Sequence, residues 1–320
     1  METVHIVFAV DNGYVQHLAA AVSSILENRS TEYPVAVHVL EKDISSANKE
    51  KLKLLFTAYQ QAEIAFHRLS AEKLTGFLIK ERWGLETYFR LFIAEVLDDG
   101  ISKAVYLDAD LIVKQDIKQL WDCCLNGAAL AAVPEPVLDA EYDLERRKRL
   151  GLNERMQYFN SGVLLLNLAV WRENKLTQKI ADYIRDNVDR LKFCDQDALN
   201  AVLQNNYLLL PANWNVQSCI FKSYYSLARS RLPQEIREAA ENPFIEHFTG
   251  TKPWLPGCAE PYQKEYFYYL SKTPWSDFKI KFVPSKVLKK YWRILYRKAL
   301  NIFLSRGERN EENISVNSDL

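Results

Sequence analysis

Two aspartates separated by one residue, Asp108 and Asp110, close the apolar run Ala104-Val105-Tyr106-Leu107. In an extended strand alternate side chains point the same way. Where such a strand ends, two carboxylates at this spacing can share one divalent cation, and hard oxygen ligands suit Mn2+ or Mg2+. A cation there would bridge the phosphates of a nucleotide diphosphate and stabilise it as a leaving group. The alternative is a solvated, Asp-ended strand; the apolar run before the pair argues against it. His247, within His-Phe-Thr-Gly-Thr-Lys-Pro-Trp, is a reasonable third ligand for manganese. Beside it Gly250 would let the backbone approach a phosphate, and Lys252 would set a positive charge against a departing diphosphate; a structural histidine is the alternative.

Two further groups carry polar chemistry. Asp11 and Tyr14 follow the first apolar run, where a carboxylate could bind uracil or ribose and a phenol ring could stack on a base; a capping Asp and a packed Tyr are the competing reading. Asp195-Gln196-Asp197 opens a helical stretch. Capping explains acidic residues there, whereas the functional reading sets Asp195 and Gln196 against a sugar.

These residues need elements to hold them. Val4 to Val10 reads as a first strand, ending at Asp11-Asn12-Gly13-Tyr14. A helical pattern follows, with Leu18, Val22, Ile25 and Leu26 on one face. Val35 to Leu40 and Ile64 to His67 are strands around a helix over 45–60. Residues 85–97 are expected as one helix, followed by the strand that runs into Asp108. Ala128 to Val133 and Tyr158 to Leu168 are further strands, the latter carrying Asn160-Ser161-Gly162. Pro134 to Asn153 is read as a loop with a helix, Trp171 to Leu191 as a single helix, and Phe244 to Phe248 as a short strand. Alternating strands and helices imply an α/β protein with a mainly parallel sheet, whose site lies beyond the carboxyl ends of the strands. Asp11 and the Asp108/Asp110 pair are both expected there.

A chain of 320 residues accommodates one large domain and an appendage. The five cysteines are odd in number and include no C-x-x-C pair, which fits a reducing compartment and excludes zinc-type spacing. The first residues lack a basic n-region and a signal-length apolar core, so the sequons at Asn28 and Asn313 read as chance matches. No run approaches the roughly 18–20 apolar residues that span a bilayer. Lysines and arginines equal aspartates and glutamates at 41 each, but nine of the basic residues fall between Lys279 and Arg306, where no acidic residue occurs. The remainder holds 32 basic against 41 acidic residues, so an acidic body carries a basic tail, which points to an anionic surface as the tail's partner.

In order along the chain, Phe8-Ala9-Val10-Asp11-Asn12-Gly13-Tyr14, Thr87-Tyr88-Phe89-Arg90, Tyr106-Leu107-Asp108-Ala109-Asp110, Tyr158-Phe159-Asn160-Ser161-Gly162-Val163, Asp195-Gln196-Asp197 and His247-Phe248-Thr249-Gly250 resemble glycosyltransferase family 8. The resemblance covers roughly residues 4–255, and is nearest to the bacterial lipopolysaccharide galactosyltransferases and glucosyltransferases. It implies a nucleotide-sugar fold of GT-A type, UDP-galactose or UDP-glucose as donor, and retention of anomeric configuration. By carry-over, Asp108, Asp110 and His247 would hold Mn2+ (or Mg2+). Ala9, Asp11, Tyr14, Ala109, Gly250 and Lys252 would contact UDP, and Arg90, Asn160, Gly162, Asp195 and Gln196 the donor sugar. Two departures stand out: only Thr251 separates Gly250 from Lys252, where the family commonly has two residues, and Asn12-Gly13 precede Tyr14.

An acceptor hydroxyl is expected to attack the anomeric carbon. Retaining hydrolases use two carboxylates about 5 Å apart; no such pair stands out here. Gln196 is a poor nucleophile, which favours same-face substitution with the diphosphate taking the acceptor's proton, and Gln196 and Asp195 steadying an oxocarbenium-like state. Expected domains are a catalytic unit over 1–258, a basic aromatic helical appendage over 259–307 and a disordered tail over 308–320. The mixture of Lys/Arg with Val, Leu, Trp, Tyr, Ile and Phe from Val283 to Leu304 suits a helix on an anionic membrane surface, or one packed on its own domain. The expected partners are a UDP-sugar, a glycan or glycolipid acceptor and that membrane surface, with no nucleic acid, in a cytoplasmic enzyme at the inner face of the cell membrane. A self-glucosylating initiator of glycogenin type and a non-catalytic UDP-sugar-binding module are the competing readings.

Overall fold

The structure, a computed structural model, describes residues 2–30, 33–70, 73, 77, 84–154, 156–224, 232–258, 260–281, 283–285, 291–292 and 295–296. Its strands are β1 (Val4–Val10), β2 (Val35–Glu41), β3 (Ala62–Arg68), β4 (Lys103–Leu107), β5 (Leu111–Val113), β6 (Leu130–Pro134), β7 (Phe159–Asn167), β8 (Tyr207–Leu209), β9 (Val216–Gln217) and β10 (Ile245–His247). Its helices are α1 (Val15–Glu27), α2 (Ser46–Phe56), α3 (Ile93–Val96), α4 (Lys118–Trp121), α5 (Ala140–Leu150), α6 (Leu168–Glu173), α7 (Leu176–Asp186), α8 (Cys194–Val202), α9 (Ser218–Tyr224), α10 (Gln234–Glu241) and α11 (Gln263–Leu270).

Seven strands form the main sheet in the order β3-β2-β1-β4-β7-β6-β8. Only β7 runs against the rest, pairing antiparallel with β4 and β6. The sheet is therefore mixed but mainly parallel, as the alternating pattern predicts. Period-two alternation sends Ile6, Phe8, Val105, Leu107, Val163 and Leu165 into the core on one face, and Val7, Ala104, Tyr106, Leu164 and Leu166 into the core on the other.

The reversed strand matters for function. β1, β4 and β6 end at one edge of the sheet, and β7 begins there. Asp11, Asp108, Glu135 and Asn160 thus collect along a single edge although they span 150 positions of sequence. A second sheet, ordered β5-β10-β9, sits just beyond β4. In it His247 lies opposite Leu111, and the Phe248 N–H donates to the Asp110 carbonyl (2.9 Å). That pairing delivers a C-terminal histidine to the Asp108/Asp110 turn.

Two helices differ from expectation. Residues 85–97 are not one α-helix: Leu85–Phe92 is a 3-10 helix that passes into the short α3. With about three residues per turn, Thr87 and Arg90 fall in one row facing the cleft, while Tyr88, Phe89, Leu91 and Phe92 are buried. The stretch from Trp171 to Leu191 is also not continuous. Lys175 adopts left-handed φ (50°) between α6 and α7, and the Asn174 amide closes α6 by donating to the Val170 carbonyl (3.0 Å). The Arg172 guanidinium donates to the carbonyls of Ala94, Leu97 and Ile101 at 2.8–3.0 Å, which ties the end of α6 to α3 and turns the chain.

α5 lies within the polar excursion between β6 and β7. The Asp139 carboxylate caps it by accepting from the Tyr142 N–H (3.0 Å), and Gly151 ends it at φ 67°. Glu141 and Asp143 occupy its first turn and Arg147, Lys148 and Arg149 its last, as the helix dipole favours. Close behind the second sheet, α11 packs Tyr266, Tyr269 and Leu270 against Ala20 of α1, Ile112 and Phe248. Most of the basic tail, including 286–290, 293–294 and 297–320, lies outside the described residues.

Candidate metal and nucleotide-sugar site

At the shared edge is a cleft of about 250 Å³ whose lining includes Arg90, Asp108, Asp110, Asn160, Asp195, Gln196, His247 and Lys252. His247 Nε2 lies 3.6 Å from Asp108 Oδ2 and 3.3 Å from Asp110 Oδ1. The three ligand atoms lie within 4.8 Å of one another, the single such group among the described residues. Two carboxylates and an imidazole are a donor set that suits a divalent cation, and the spacing lets one cation reach all three. Local packing is built around the cluster. A Cβ on Gly162 would collide with the His247 ring and come within 2.6 Å of Asp108 Oδ2. β7 can pass the cluster only with glycine there, and the Gly162 carbonyl accepts from the Asp108 N–H (2.8 Å).

The carboxylates are held by opposite charge. Burial works to raise the Asp110 pKa, but the Lys252 ammonium, ion-paired to it, and His247 hold it well below the usual carboxylate range. Lys252 also donates to the Phe248 carbonyl (2.6 Å). The short Gly250-Thr251-Lys252 segment therefore still brings the ammonium to the cluster. Tyr106 donates to Asp108 Oδ1 (2.8 Å). Arg90, 7% exposed, bridges Asp108 (3.1 Å) and Asp195 (3.0 Å) and donates to the Ser161 carbonyl (2.6 Å). Burial opposes its charge, yet the two carboxylates keep it protonated. Asp195, 2% exposed, is pushed up to about 6 by burial, with Arg90 opposing.

The Gln196 amide is held at both ends. Its Oε1 accepts from Asn160 Nδ2 and from the Ser161 N–H, each at 3.0 Å. Its Nε2 donates to Glu135 Oε2 and Tyr158 OH, each at 3.2 Å. The carboxylate of Glu135 is in turn paired with Arg146 Nη1 of α5 (3.2 Å). Burial raises its pKa and Arg146 opposes the rise.

The structure thus brings Arg90, Asp108, Asp110, Asn160, Gly162, Asp195, Gln196, His247 and Lys252 together. Ala109 is buried between the two aspartates, and Gly250 lies in the loop before Lys252. Tyr14, 37% exposed, has its pKa raised by burial and then by Asp110, which puts it at the cluster's margin. Its ring meets Trp254 edge-on, with centroids 5.8 Å apart. Asp11 accepts the Tyr14 N–H through one carboxylate oxygen (2.9 Å), a local bond close to the capping reading, although the residue that caps α1 is Tyr14 itself. Ala9, near the end of β1, packs against one of the two cores. Sequence reading missed Glu135, Ser161 as a partner of Arg90, and Asn215, whose Oδ1 meets His247 Nδ1 at 2.9 Å. Glu135 had one available signal: it follows a predicted strand at the expected edge.

Comparison with known proteins agrees with this geometry. General stress protein A of Bacillus subtilis is 31% identical over 279 residues, covering 86% of this chain and 96% of the relative. Lipopolysaccharide 1,2-glucosyltransferase of Escherichia coli K12 is 30% identical over 280 residues, covering 86% and 80%. A solved galactosyltransferase, LgtC in complex with donor and acceptor sugar analogs, superposes with a TM-score of 0.73 at 25% identity, covering 89% of this chain and 99% of that one. The sequence profile of Glycosyl transferase family 8 matches residues 5–257. With that match over most of its length, and with the Asp-Ala-Asp turn, the imidazole and the buried arginine in one cleft, the chain belongs to glycosyltransferase family 8.

Proposed function

We propose that this protein is a retaining hexosyltransferase that moves glucose or galactose from a UDP-sugar to a hydroxyl of a glycan or glycolipid, with Mn2+ as cofactor. The observation that carries the reading is the opposition, within one small cleft, of an Asp108/Asp110/His247 cluster to the Arg90, Asp195 and Gln196 group. Asp108, Asp110 and His247 would hold the cation, whose charge, when bound, stabilises a departing diphosphate. Lys252 adds a second positive charge on the same side. Asp11, Tyr14, Ala9, Ala109 and Gly250 would contact uridine and phosphate. Arg90, Asn160, Gly162 and Asp195 orient the sugar.

Gln196 is a neutral amide held at both ends, so it serves better as a fixed dipole beside the anomeric carbon than as a nucleophile. Asp195 is occupied by Arg90. Both facts favour same-face substitution: the acceptor O–H attacks as the sugar–phosphate bond breaks, and its proton passes to the diphosphate oxygen. A trapped glycosyl adduct on Asp195 would overturn this route. The lipopolysaccharide enzymes among the relatives support a lipid-linked glycan as acceptor. The tail supports a membrane location, since Tyr291, Trp292, Leu295 and Tyr296 are all exposed within a basic stretch. No helix among the described residues is long and apolar enough to cross a membrane. Sedimentation with anionic vesicles should pellet the full chain but not a form lacking residues 276–320; equal pelleting of both rejects the tail's role. For the activity itself, UDP release should be slow but measurable from UDP-glucose or UDP-galactose with Mn2+ and should stop with EDTA. UDP binding without release from either sugar, even with glycan acceptors present, would favour a binding module instead.

A further inference from the structure

The side chains that link the metal cluster to Gln196 form one directed hydrogen-bond chain. Its polarity follows from fixed backbone donors. The Ser161 N–H points at Gln196 Oε1 (3.0 Å), and the Gly162 N–H points at Asn160 Oδ1 (3.0 Å). Those two atoms must therefore be the amide oxygens. Asn160 Oδ1 faces Asn215 at 2.8 Å, so the Asn215 atom there is the NH2 group. The Asn215 oxygen is left facing His247 Nδ1 at 2.9 Å, which requires the proton on Nδ1. In the neutral ring, the form that binds a cation, Nε2 then carries the lone pair and faces Asp108 and Asp110. In the other direction Asn160 Nδ2 donates to Gln196 Oε1, and Gln196 Nε2 donates to Glu135, an acceptor-only carboxylate paired with Arg146. Every donor points from His247 toward Glu135.

We infer that Asn215 is a positioning residue for both halves of the site. It sets the His247 tautomer so that Nε2 can take a cation, and its NH2 group steadies Asn160, whose own amide donates to Gln196. Asn215 is fully buried, and its two amide ends are spent on these two partners, with one hydrogen bond to each. Hydrogen-bond partners of metal-ligating histidines tune ligand basicity and orientation, and their loss typically costs about 10–100-fold in metal affinity or activity. The inference rests on the proposed cation site.

The test uses the full-length protein and variants Asn215→Leu and Asn215→Asp. Long-range 15N NMR of the metal-free protein, at a pH high enough to leave the imidazole neutral and with the His247 signals identified from their loss in His247→Gln, reads the tautomer. Mn2+ titration in the presence of UDP, followed by EPR, reads affinity. Wild type should show the Nδ1–H tautomer and bind Mn2+. In Asn215→Leu the tautomer preference should be lost and Mn2+ affinity should fall about tenfold or more. Asn215→Asp still accepts from Nδ1–H but offers Asn160 no donor. It should keep Mn2+ affinity within about threefold while its rate of UDP release falls about tenfold or more. Should Asn215→Leu fail to fold, Asn215→Asp decides alone: lost affinity or an unchanged rate overturns the inference. A wild type that binds no Mn2+ rejects the cation site itself; a wild type that binds it beside an unaffected Asn215→Leu rejects only the role of Asn215.

Discussion

At the scale of single residues the site is a problem in charge compensation. Asp108, Asp110 and Asp195 would repel one another in a partly dry cleft without Arg90 and Lys252 among them. In the proposed function a cation held by Asp108, Asp110 and His247 would complete the balance when a diphosphate enters. Asp110→Asn should therefore lower turnover by about 10²–10³-fold, the usual cost of removing one strong electrostatic contact from a transition state; steady-state UDP release measures it, and a loss under threefold would remove Asp110 from the ligand set. Gly162→Ala tests the packing. The added methyl must displace the His247 ring or Asp108, an overpacking strain of about 1–3 kcal/mol, and urea unfolding together with Mn2+ titration should show losses in both stability and affinity. The aspartates, the histidine and Gln196 were legible in the sequence because each lies in a short motif at a strand or helix boundary. Asn215 was not, and Glu135 carried no signal beyond its place after a predicted strand. Each acts through partners far away in the chain, Asn160 and His247 for one and Gln196 and Arg146 for the other, and no spacing rule connects them.

At the scale of elements, β7 does the most to assemble the site. Running against its neighbours, it starts where β1, β4 and β6 finish and so presents Asn160, Ser161 and Gly162 beside Asp108. The strand was predictable from its apolar run, but its direction was not, because direction depends on the connections around it. The 3-10 turn carrying Thr87 and Arg90 escaped prediction for a similar reason. The apolar pattern there also fits an α-helix, and the contacts that hold Arg90 in the cleft, to Asp108, Asp195 and Ser161, come from distant parts of the chain. α5 acts at longer range, since its Arg146 clamps Glu135, the partner of Gln196. Asp139→Ala removes the α5 cap and should cost about 1 kcal/mol in urea unfolding, with a several-fold fall in UDP release as Arg146 loosens. Unchanged stability and unchanged release would mean that α5 is held without its cap.

For the whole molecule, pH exposes how the core is paid in buried imidazoles. His17 lies 4% exposed against Trp254, with ring centroids 3.4 Å apart, and accepts or donates a 2.7 Å hydrogen bond with Tyr266 OH. His38 sits between His5 and His67 at 3.0 Å from each. Burial lowers the pKa to about 3 for His17 and about 4 for His38, the latter helped by His67 and His5. Both folded values lie below the unfolded value of 6.5, so the unfolded chain takes up protons first as the pH falls. Their contribution is complete above pH 6.5 and is lost between 6.5 and about 4 for His38, and down to about 3 for His17. Unfolding free energy should drop between pH 7.5 and 5 by on the order of 1–2 kcal/mol per histidine, measured by urea titration at both values; a flat profile would mean that these rings are solvated. The acidic body and basic tail were legible at this scale from charge alone, and so was the α/β class from its alternation. Most of the tail lies outside the described residues, so its placement is a question for the vesicle sedimentation above.

In the proposed function Asp108, Asp110 and His247 together hold the cation of a nucleotide-sugar transferase. The most direct measurement is a crystal structure of the protein grown with UDP and Mn2+, with data collected at the manganese absorption edge. The expected result is one anomalous peak bonded to Asp108, Asp110 and His247 Nε2, in contact with the diphosphate and with uridine toward Asp11 and Tyr14. UDP bound in the cleft with no manganese at these three side chains would contradict the account.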